Sequence, residues 1–582
     1  MKKLQLLFLM TILLFISCNN VYASEEEQEM LMNQYDSSKP IIFRYSEKPV
    51  FLPKEIKVVK QQFRGVYVYT NKNLDFKTEN SIKAFKAQYE EILNTLEEYN
   101  MNAIIFQIRP TNDAFYQSEL NPWSKYLMGT EDQDPGWDPL KWMISVTHGR
   151  GISFYAGFNA FRVSNATNLE KVFFINSLSE KNYANKHPEY VLTLTNTNGQ
   201  YQYILNPGEE DVKQFVLDSI MEIVKNYDID AINLENFFYP MSALGNFNDS
   251  KQFNNNNEDN LTVDNWRRQN ITDLIINVKD EIIYYNNKYN KRIQLGVTPY
   301  GVWDNYNLDN KNGSKTTGYT SYGNEYADTR FWVKKEYVDY IAPQVKWEFE
   351  DPSTPYADVV QWWAETVKDT QVNLYISHYV NPNLKNQHQI LNQLRFNQNY
   401  SEIKGSLLYS YHTINNQNND RITKLLETIK TEYWHNITIH PVIKSVDNKP
   451  PKAVDRLLVK YIKNTVRLSW DSVKEAKLYL VYRFRNNEEM NLSDPTSIIE
   501  IVNQTSDDKI VFIDNNIRNN NIYRYVIVTI DEAYNESAPV IFDIDLNPNK
   551  MLPTEIVIFS ITSLITFIVI SYTAIKTLRN KN

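Results

Sequence analysis

Eight short apolar runs, spaced by longer stretches of helical character, limit what this chain can fold into. They occupy residues 65–70, 102–110, 151–159, 230–238, 293–299, 340–347, 372–378 and 403–410. Several are apolar almost throughout, as in Ala103-Ile104-Ile105-Phe106. Such runs suit parallel strands covered on both faces. Helix candidates lie between them at 81–99, 212–227 and 264–285. A strand and a helix repeated eight times over roughly 370 residues predict an α/β fold of the (β/α)8, TIM-type barrel class. We place the barrel at 57–436, with Asn-rich stretches such as 253–260 as loop insertions.

A chain of 582 residues has room for more than one barrel. Residues 450–545 lose helical periodicity and carry short alternating segments such as Val466-Arg467-Leu468-Ser469-Trp470. That pattern predicts a β-sandwich. Trp470, the Tyr523-x-Tyr525 pair and the Asn535-Glu536-Ser537 tail resemble fibronectin type III domains.

The two ends suggest a place of work. Residues 1–23 read as an export signal: Lys2 and Lys3, an apolar run from Leu6 to Ile16, and Val21-Tyr22-Ala23 before a cut at Ser24. A second reading makes Cys18 a lipidated residue of a lipoprotein signal. Residues 24–56 form a polar lead with the acidic run Glu25-Glu26-Glu27, read as a solvated tether. Residues 556–575 are long and apolar enough for one membrane-spanning helix. Lys576, Arg579 and Lys581 follow in the 576–582 tail, which is expected to stay cytoplasmic. The bulk of the chain is then extracellular, held at the cell membrane of a bacterial envelope. A net charge of −9 argues against nucleic acid as a partner. A single cysteine, Cys18, excludes an intrachain disulfide and a thiolate metal cluster.

Barrels of this class do their chemistry at the C-terminal ends of the strands. Those ends bring Gln107 and Arg109, Asn159 and Arg162, Glu235 and Asn236, Trp303, Gln344 and Trp347, and His378 to one rim. Tyr409 and Tyr411 flank the last strand end. Rings for the apolar face of a sugar, with amides, Arg and carboxylates for its hydroxyls, make a saccharide site.

Several long motifs carry a further resemblance. They include Asn102 to Pro110 continuing to Pro122-Trp123-Ser124, then Trp137-Asp138-Pro139-Leu140, His148-Gly149-Arg150-Gly151 and Leu205-Asn206-Pro207-Gly208. Phe238-Tyr239-Pro240, Asp264-Asn265-Trp266-Arg267-Arg268, Tyr326-Ala327-Asp328-Thr329-Arg330, Tyr340-Ile341-Ala342-Pro343-Gln344 and Trp362-Trp363 complete them. On these the chain resembles the glycosyl hydrolase-like 10 family over about residues 62–415. The resemblance implies a barrel acting on glycosidic bonds, with peptidoglycan strands or another envelope polysaccharide as substrate and Tyr239 among the substrate contacts. The chain departs from the family pattern at Glu235-Asn236, where two aspartates are usual. It departs also at Tyr155 in place of His, Gly157 of Trp, Ala160 of Pro, Asp304 of Arg and Lys346 of Tyr.

Glycoside hydrolysis needs two carboxyl groups about the bond. Glu235 is the first candidate. Asp113, Asp328 and Glu348 are candidates for the second. Asn236 cannot titrate, so a substrate contact is the role open to it. Each residue also has a plain structural reading: salt bridges or helix caps for the acids, ion pairs for Arg109 and Arg162, packing for Trp303 and Trp347, a core imidazole for His378. Seven scattered His form no metal motif, and no P-loop, dinucleotide fingerprint or nucleophile elbow is present. No metal and no cofactor is expected. Two readings follow: a hydrolase of envelope glycan, or a barrel that only binds it.

Overall fold

The computed structural model describes residues 27–79, 81–235, 238–239, 247–308, 311–380, 388–415, 419–518, 521–546 and, for the backbone, 556–559. The export signal, Cys18 and Asn236 lie outside these residues.

The eight apolar runs are eight parallel strands. They are β1 (Phe63–Val68), β2 (Ala103–Arg109), β3 (Ser153–Phe158), β4 (Ala231–Glu235), β5 (Gln294–Thr298), β6 in two pieces (Tyr340–Ile341 and Gln344–Val345), β7 (Asn373–Tyr379) and β8 (Ile403–Tyr409). Each pairs with its chain neighbour, β8 pairs with β1, and β6 with β7, so the sheet closes into a barrel. Closure removes free edges, and the connecting helices bury the outer face. Helix Ile82–Glu98 is typical. Ser81 caps it by accepting the Ala84 N–H, and Phe85, Tyr89, Ile92, Leu93 and Leu96 form its buried stripe.

The barrel interior is largely aromatic. Phe63, Tyr67, Tyr155, Tyr340 and Tyr375 fill it, with Phe63 stacked on Tyr375 at 4.1 Å. Such bulk needs space opposite. Gly296 supplies it, since a Cβ there would meet the Tyr340 ring at 2.1 Å.

Residues 27–56, expected as a polar lead, pack onto the barrel. Gln28–Met30 pairs with Phe51–Pro53, and Leu31, Ile41, Val50 and Leu52 join the main core. Their apolar side chains are too few and too scattered to show periodicity. A second hairpin, Val191–Thr195 with Tyr201–Leu205, sits in the loop after β3.

The 450–545 region forms β9 (Arg456–Ile462), β10 (Thr465–Asp471), β11 (Ala476–Arg485), β12 (Ile498–Asn503), β13 (Lys509–Asp514), β14 (Ile522–Asp531) and β15 (Val540–Asp545). One sheet runs β13-β10-β9 and the other β12-β11-β14-β15. Trp470 and Tyr479 meet edge to face between them, 5.3 Å apart. Strand β11 is buried on both sides: Tyr479 and Val481 face the sandwich core, while Leu478, Leu480 and Tyr482 pack on Ile439 and Ile443 of the linker.

The sandwich sits beneath the N-terminal end of the barrel. Lys477 Nζ is 2.6 Å from Asp230, which precedes β4 and also meets His148 Nε2 at 2.8 Å. The Tyr534 hydroxyl bonds Ser153 Oγ at 2.7 Å, and its ring stacks on His440 at 4.7 Å. Lys60 pairs with Glu536, and Arg292 with Asp447. A cleft of about 620 Å³ remains along this seam.

Of the segment expected to span a membrane, Ile556–Phe559 forms a short strand against β9 rather than the start of a helix, and 560–575 lies outside the described residues. Among the described residues no helix is long and apolar enough to cross a membrane.

Candidate functional site at the barrel mouth

Alternation along each strand decides which side chains reach the mouth. On β4, Ile232 and Leu234 belong to the outer core, so Ala231, Asn233 and Glu235 face inward. Glu235 is the last of them and only 3% exposed. Its Oε1 accepts hydrogen bonds from the Tyr67 hydroxyl and from Gln107 Nε2, both at 2.6 Å. Its Oε2 accepts one from Asn159 Nδ2 at 3.2 Å. The donors come from β1, β2 and the end of β3. Both amides are held in orientation. Gln107 Oε1 accepts the Thr70 and Asn71 N–H groups at 3.1 and 2.8 Å, and Asn159 Oδ1 accepts the Arg162 N–H at 2.9 Å. Gly157 makes room for this arrangement: a Cβ there would stand 2.9 Å from the Tyr67 hydroxyl.

Tyrosines extend the wall toward β7 and β8. Tyr67 stacks on Tyr69 at 4.2 Å, Tyr69 meets Tyr409 at 5.1 Å, and Tyr379 lies 6.2 Å from Tyr409. Burial, with the Glu235 and Asp75 carboxylates, pushes the Tyr409 hydroxyl up to about 12. Asp75 Oδ1 also holds His412 Nδ1 at 2.7 Å and raises that imidazole above its ordinary value. His412 was not foreseen; it follows the last strand by three residues.

A second group of side chains gathers over β5 and β6. Tyr300 lies 5.4 Å from Trp347 and 4.9 Å from Tyr319, all three rings half-buried. Lys346 Nζ lies over the Tyr300 ring at 5.1 Å. Among them is Glu325, fully buried, with the Tyr319 hydroxyl 3.4 Å from Oε1 and no hydrogen-bond partner for Oε2. Burial pushes this carboxyl up to about 8, with Lys346 and Tyr319 opposing the shift. Glu325 falls in a loop without periodicity. Its one signal in the sequence is that it directly precedes the Tyr326–Arg330 motif.

Of the expected site residues, Glu235, Gln107 and Asn159 come together as described. Arg162 lies beside them, 5% exposed. Gln344 and Trp347 reach the β6 side of the mouth, where Gln344 Nε2 donates to the Thr298 carbonyl.

The other expected residues are committed elsewhere. Asp113 is buried and accepts from the Thr111 N–H and the Thr111 and Ser124 hydroxyls, tying the loop after β2 to itself. Asp328 caps helix Thr329–Lys334 through the Phe331 N–H and accepts Trp303 Nε1 at 3.0 Å. Glu348 accepts from Tyr35 and Gln34, anchoring the N-terminal segment. Arg109 lies in the wall, spread over Asn121, Asn112 and two carbonyls beneath Phe158 and Phe215. His378 is fully buried between Gln393 and Ser406, and burial lowers it to about 4. Trp303 stacks on Trp362 at 5.5 Å, and Tyr239 is buried beside Arg267 and Tyr326. Tyr155, a departure read at a strand end, lies deep in the barrel, where its hydroxyl takes the Gln294 amide. These side chains are held by contacts of their own in loops, a helix end, the N-terminal segment and the barrel wall.

The model of the glycosyl hydrolase-like 10 family matches residues 62–394. Glycosyl hydrolase YngK of Bacillus subtilis (strain 168) is 31% identical over 496 residues, covering 82% of this chain and 92% of that protein. Glycosyl hydrolase DigH of Escherichia coli (strain K12) is 31% identical over 328 residues, covering 54% of this chain and 72% of that protein. Among solved structures, the GH36 alpha-galactosidase AgaA from Geobacillus stearothermophilus aligns at 10% identity with a TM-score of 0.33, over 78% of this chain and 55% of that one. That likeness is too loose to carry an argument.

Proposed function

The chain belongs to the glycosyl hydrolase-like 10 family, and on that premise we propose that it hydrolyses glycosidic bonds of cell-envelope glycan, with peptidoglycan strands as the substrate class and Glu235 as a catalytic carboxylate. One observation carries this reading. Glu235 faces inward at the C-terminal end of β4, and three side chains from three neighbouring strands hold both its oxygens. Such preorganised polar contacts fix a reacting group before substrate arrives. The tyrosines around it supply surfaces on which sugar rings stack.

The same packing favours a second reading, in which the barrel binds glycan without cutting it. Every Glu235 oxygen is already bonded, and little of the side chain meets solvent. A direct test separates the two. The purified chain and its Glu235→Gln variant are incubated with purified glycan strands. New reducing ends from the native protein alone support hydrolysis. Equal binding by both proteins without new ends supports the second reading and removes the first.

We infer the setting from the sequence. An export signal at 1–23 and an anchor in the part of 556–575 that follows the Ile556–Phe559 strand would hold the barrel outside the cell membrane. The sandwich is taken as a fibronectin type III-like spacer, a reading its two antiparallel sheets of short strands favour.

A further inference from the structure

Hydrolysis at Glu235 needs a partner that holds a proton for the departing sugar. Asp113, Asp328 and Glu348 are each engaged in bonds that build loops, a helix end or the N-terminal segment. Glu325 differs. It is a buried carboxyl at the β5–β6 side of the mouth, and one of its oxygens has no partner. A buried polar atom left unbonded is costly, so such an atom calls for an explanation.

Resting on the hydrolase reading above, we propose that Glu325 is the second catalytic carboxyl, which donates a proton through Oε2 to the leaving glycosidic oxygen. Its position fits. Thr298 and Tyr300 of the β5 end point inward, as does Lys346 at the β6 end. The groups facing Glu325 are Tyr319, Tyr300 and Lys346, and Lys346 is the charged one. An apolar, aromatic surround keeps a carboxyl protonated near neutral pH, and burial does so here. Lys346 is exposed, and its ammonium rests over the Tyr300 ring beside Glu325. Substrate entering over Tyr300 and Trp347 displaces it and uncovers Oε2.

The step balances. Glu325 gives its proton to the glycosidic oxygen as that oxygen's bond to the anomeric carbon breaks. Water forms the new bond to that carbon and passes a proton to Glu235. Solvent returns the proton from Glu235 to Glu325, and one water is consumed per bond cut.

The test uses the full chain, native, Glu325→Gln, Lys346→Met and Glu235→Gln, with matched thermal melts as the folding control. Two substrates are compared: purified glycan strands, and an aryl glycoside whose 4-nitrophenol leaves without protonation. Glu325→Gln should lose about 100- to 10,000-fold on strands and less than about tenfold on the aryl glycoside. The native rate should fall as pH rises past about 8, and Lys346→Met, lacking the ammonium that favours the charged carboxylate, should move that fall to higher pH. Glu325→Gln losing both substrates equally, or keeping the native rate and alkaline limb, overturns the proposal while the hydrolase reading stands. A native protein that releases no ends from strands ends both.

Discussion

Gln107 and Glu235 stand 2.6 Å apart, and the amide presents its NH2 side because its oxygen is already held by the Thr70 and Asn71 N–H groups. One side chain thus ties the β1 loop to the candidate carboxylate. Gln107→Leu should strand those buried groups at a cost of about 1–3 kcal/mol each and cut any glycan cleavage sharply. Urea unfolding and reducing-end release measure the two effects. Unchanged stability would show that the contact carries no weight.

Gly157→Ala probes the same site from the other side. The new methyl would stand 2.9 Å from the Tyr67 hydroxyl and 3.0 Å from the Gln107 Cα, and backbone cannot retreat easily. We expect a loss of about 1–3 kcal/mol and displacement of Tyr67 from Glu235. Tyr67→Phe in the Gly157→Ala background should recover part of the stability, since the clashing oxygen is gone. A double-mutant cycle reads this coupling.

Asp230 links the barrel to the sandwich. Burial opposes its charge, but Lys477 and His148 hold it well below the usual carboxylate range. Its contribution is therefore present above the unfolded value of about 4 and is lost as pH falls further. Burial likewise opposes charge on His148, yet Asp230 raises that imidazole. Its contribution is present below about pH 6.5 and is lost as pH rises through the raised value. Asp230→Asn should cost about 1–3 kcal/mol at pH 6, because the part-buried Lys477 keeps only its longer contact to Glu532 at 3.7 Å. Calorimetry should then resolve barrel and sandwich as separate transitions. A single unshifted transition would contradict this.

Glu325 should give the folded protein a pH dependence of its own. Its carboxyl is raised from about 4.5 to about 8, so the favourable contribution is full below pH 4.5 and disappears as pH climbs through 8. Unfolding free energies of the native chain, from denaturant titrations, should fall across that range by an amount of order a few kcal/mol, while Glu325→Gln should show a flatter profile. Parallel curves would place the ionisation elsewhere.

The barrel is legible in the sequence because strands buried on both faces leave unbroken apolar runs. Glu235, Gln107 and Asn159 are legible because strand ends point to one rim. Arg109 misleads because a register shift after Gln107 breaks the alternation and turns it into the wall. His378 misleads in another way. Tyr375 faces inward, so parity along β7 already sends residue 378 outward, and strand position alone hides this. Asp328 and Trp303 bond each other, a pairing no spacing reveals. Glu325 owes its character to burial among rings brought from three separate segments, which only the folded chain assembles.

The sandwich grips the foot of the barrel through Lys477, Tyr534 and Glu536, at the pole opposite the tyrosine-lined opening. It is therefore no lid. Were the proposed anchor to follow it, the sandwich would stand as a pedestal, with the opening turned away from the lipid toward polymer farther out. Reach would then be set by the height of this stack, and glycan lying flush with the bilayer would pass beneath the working end.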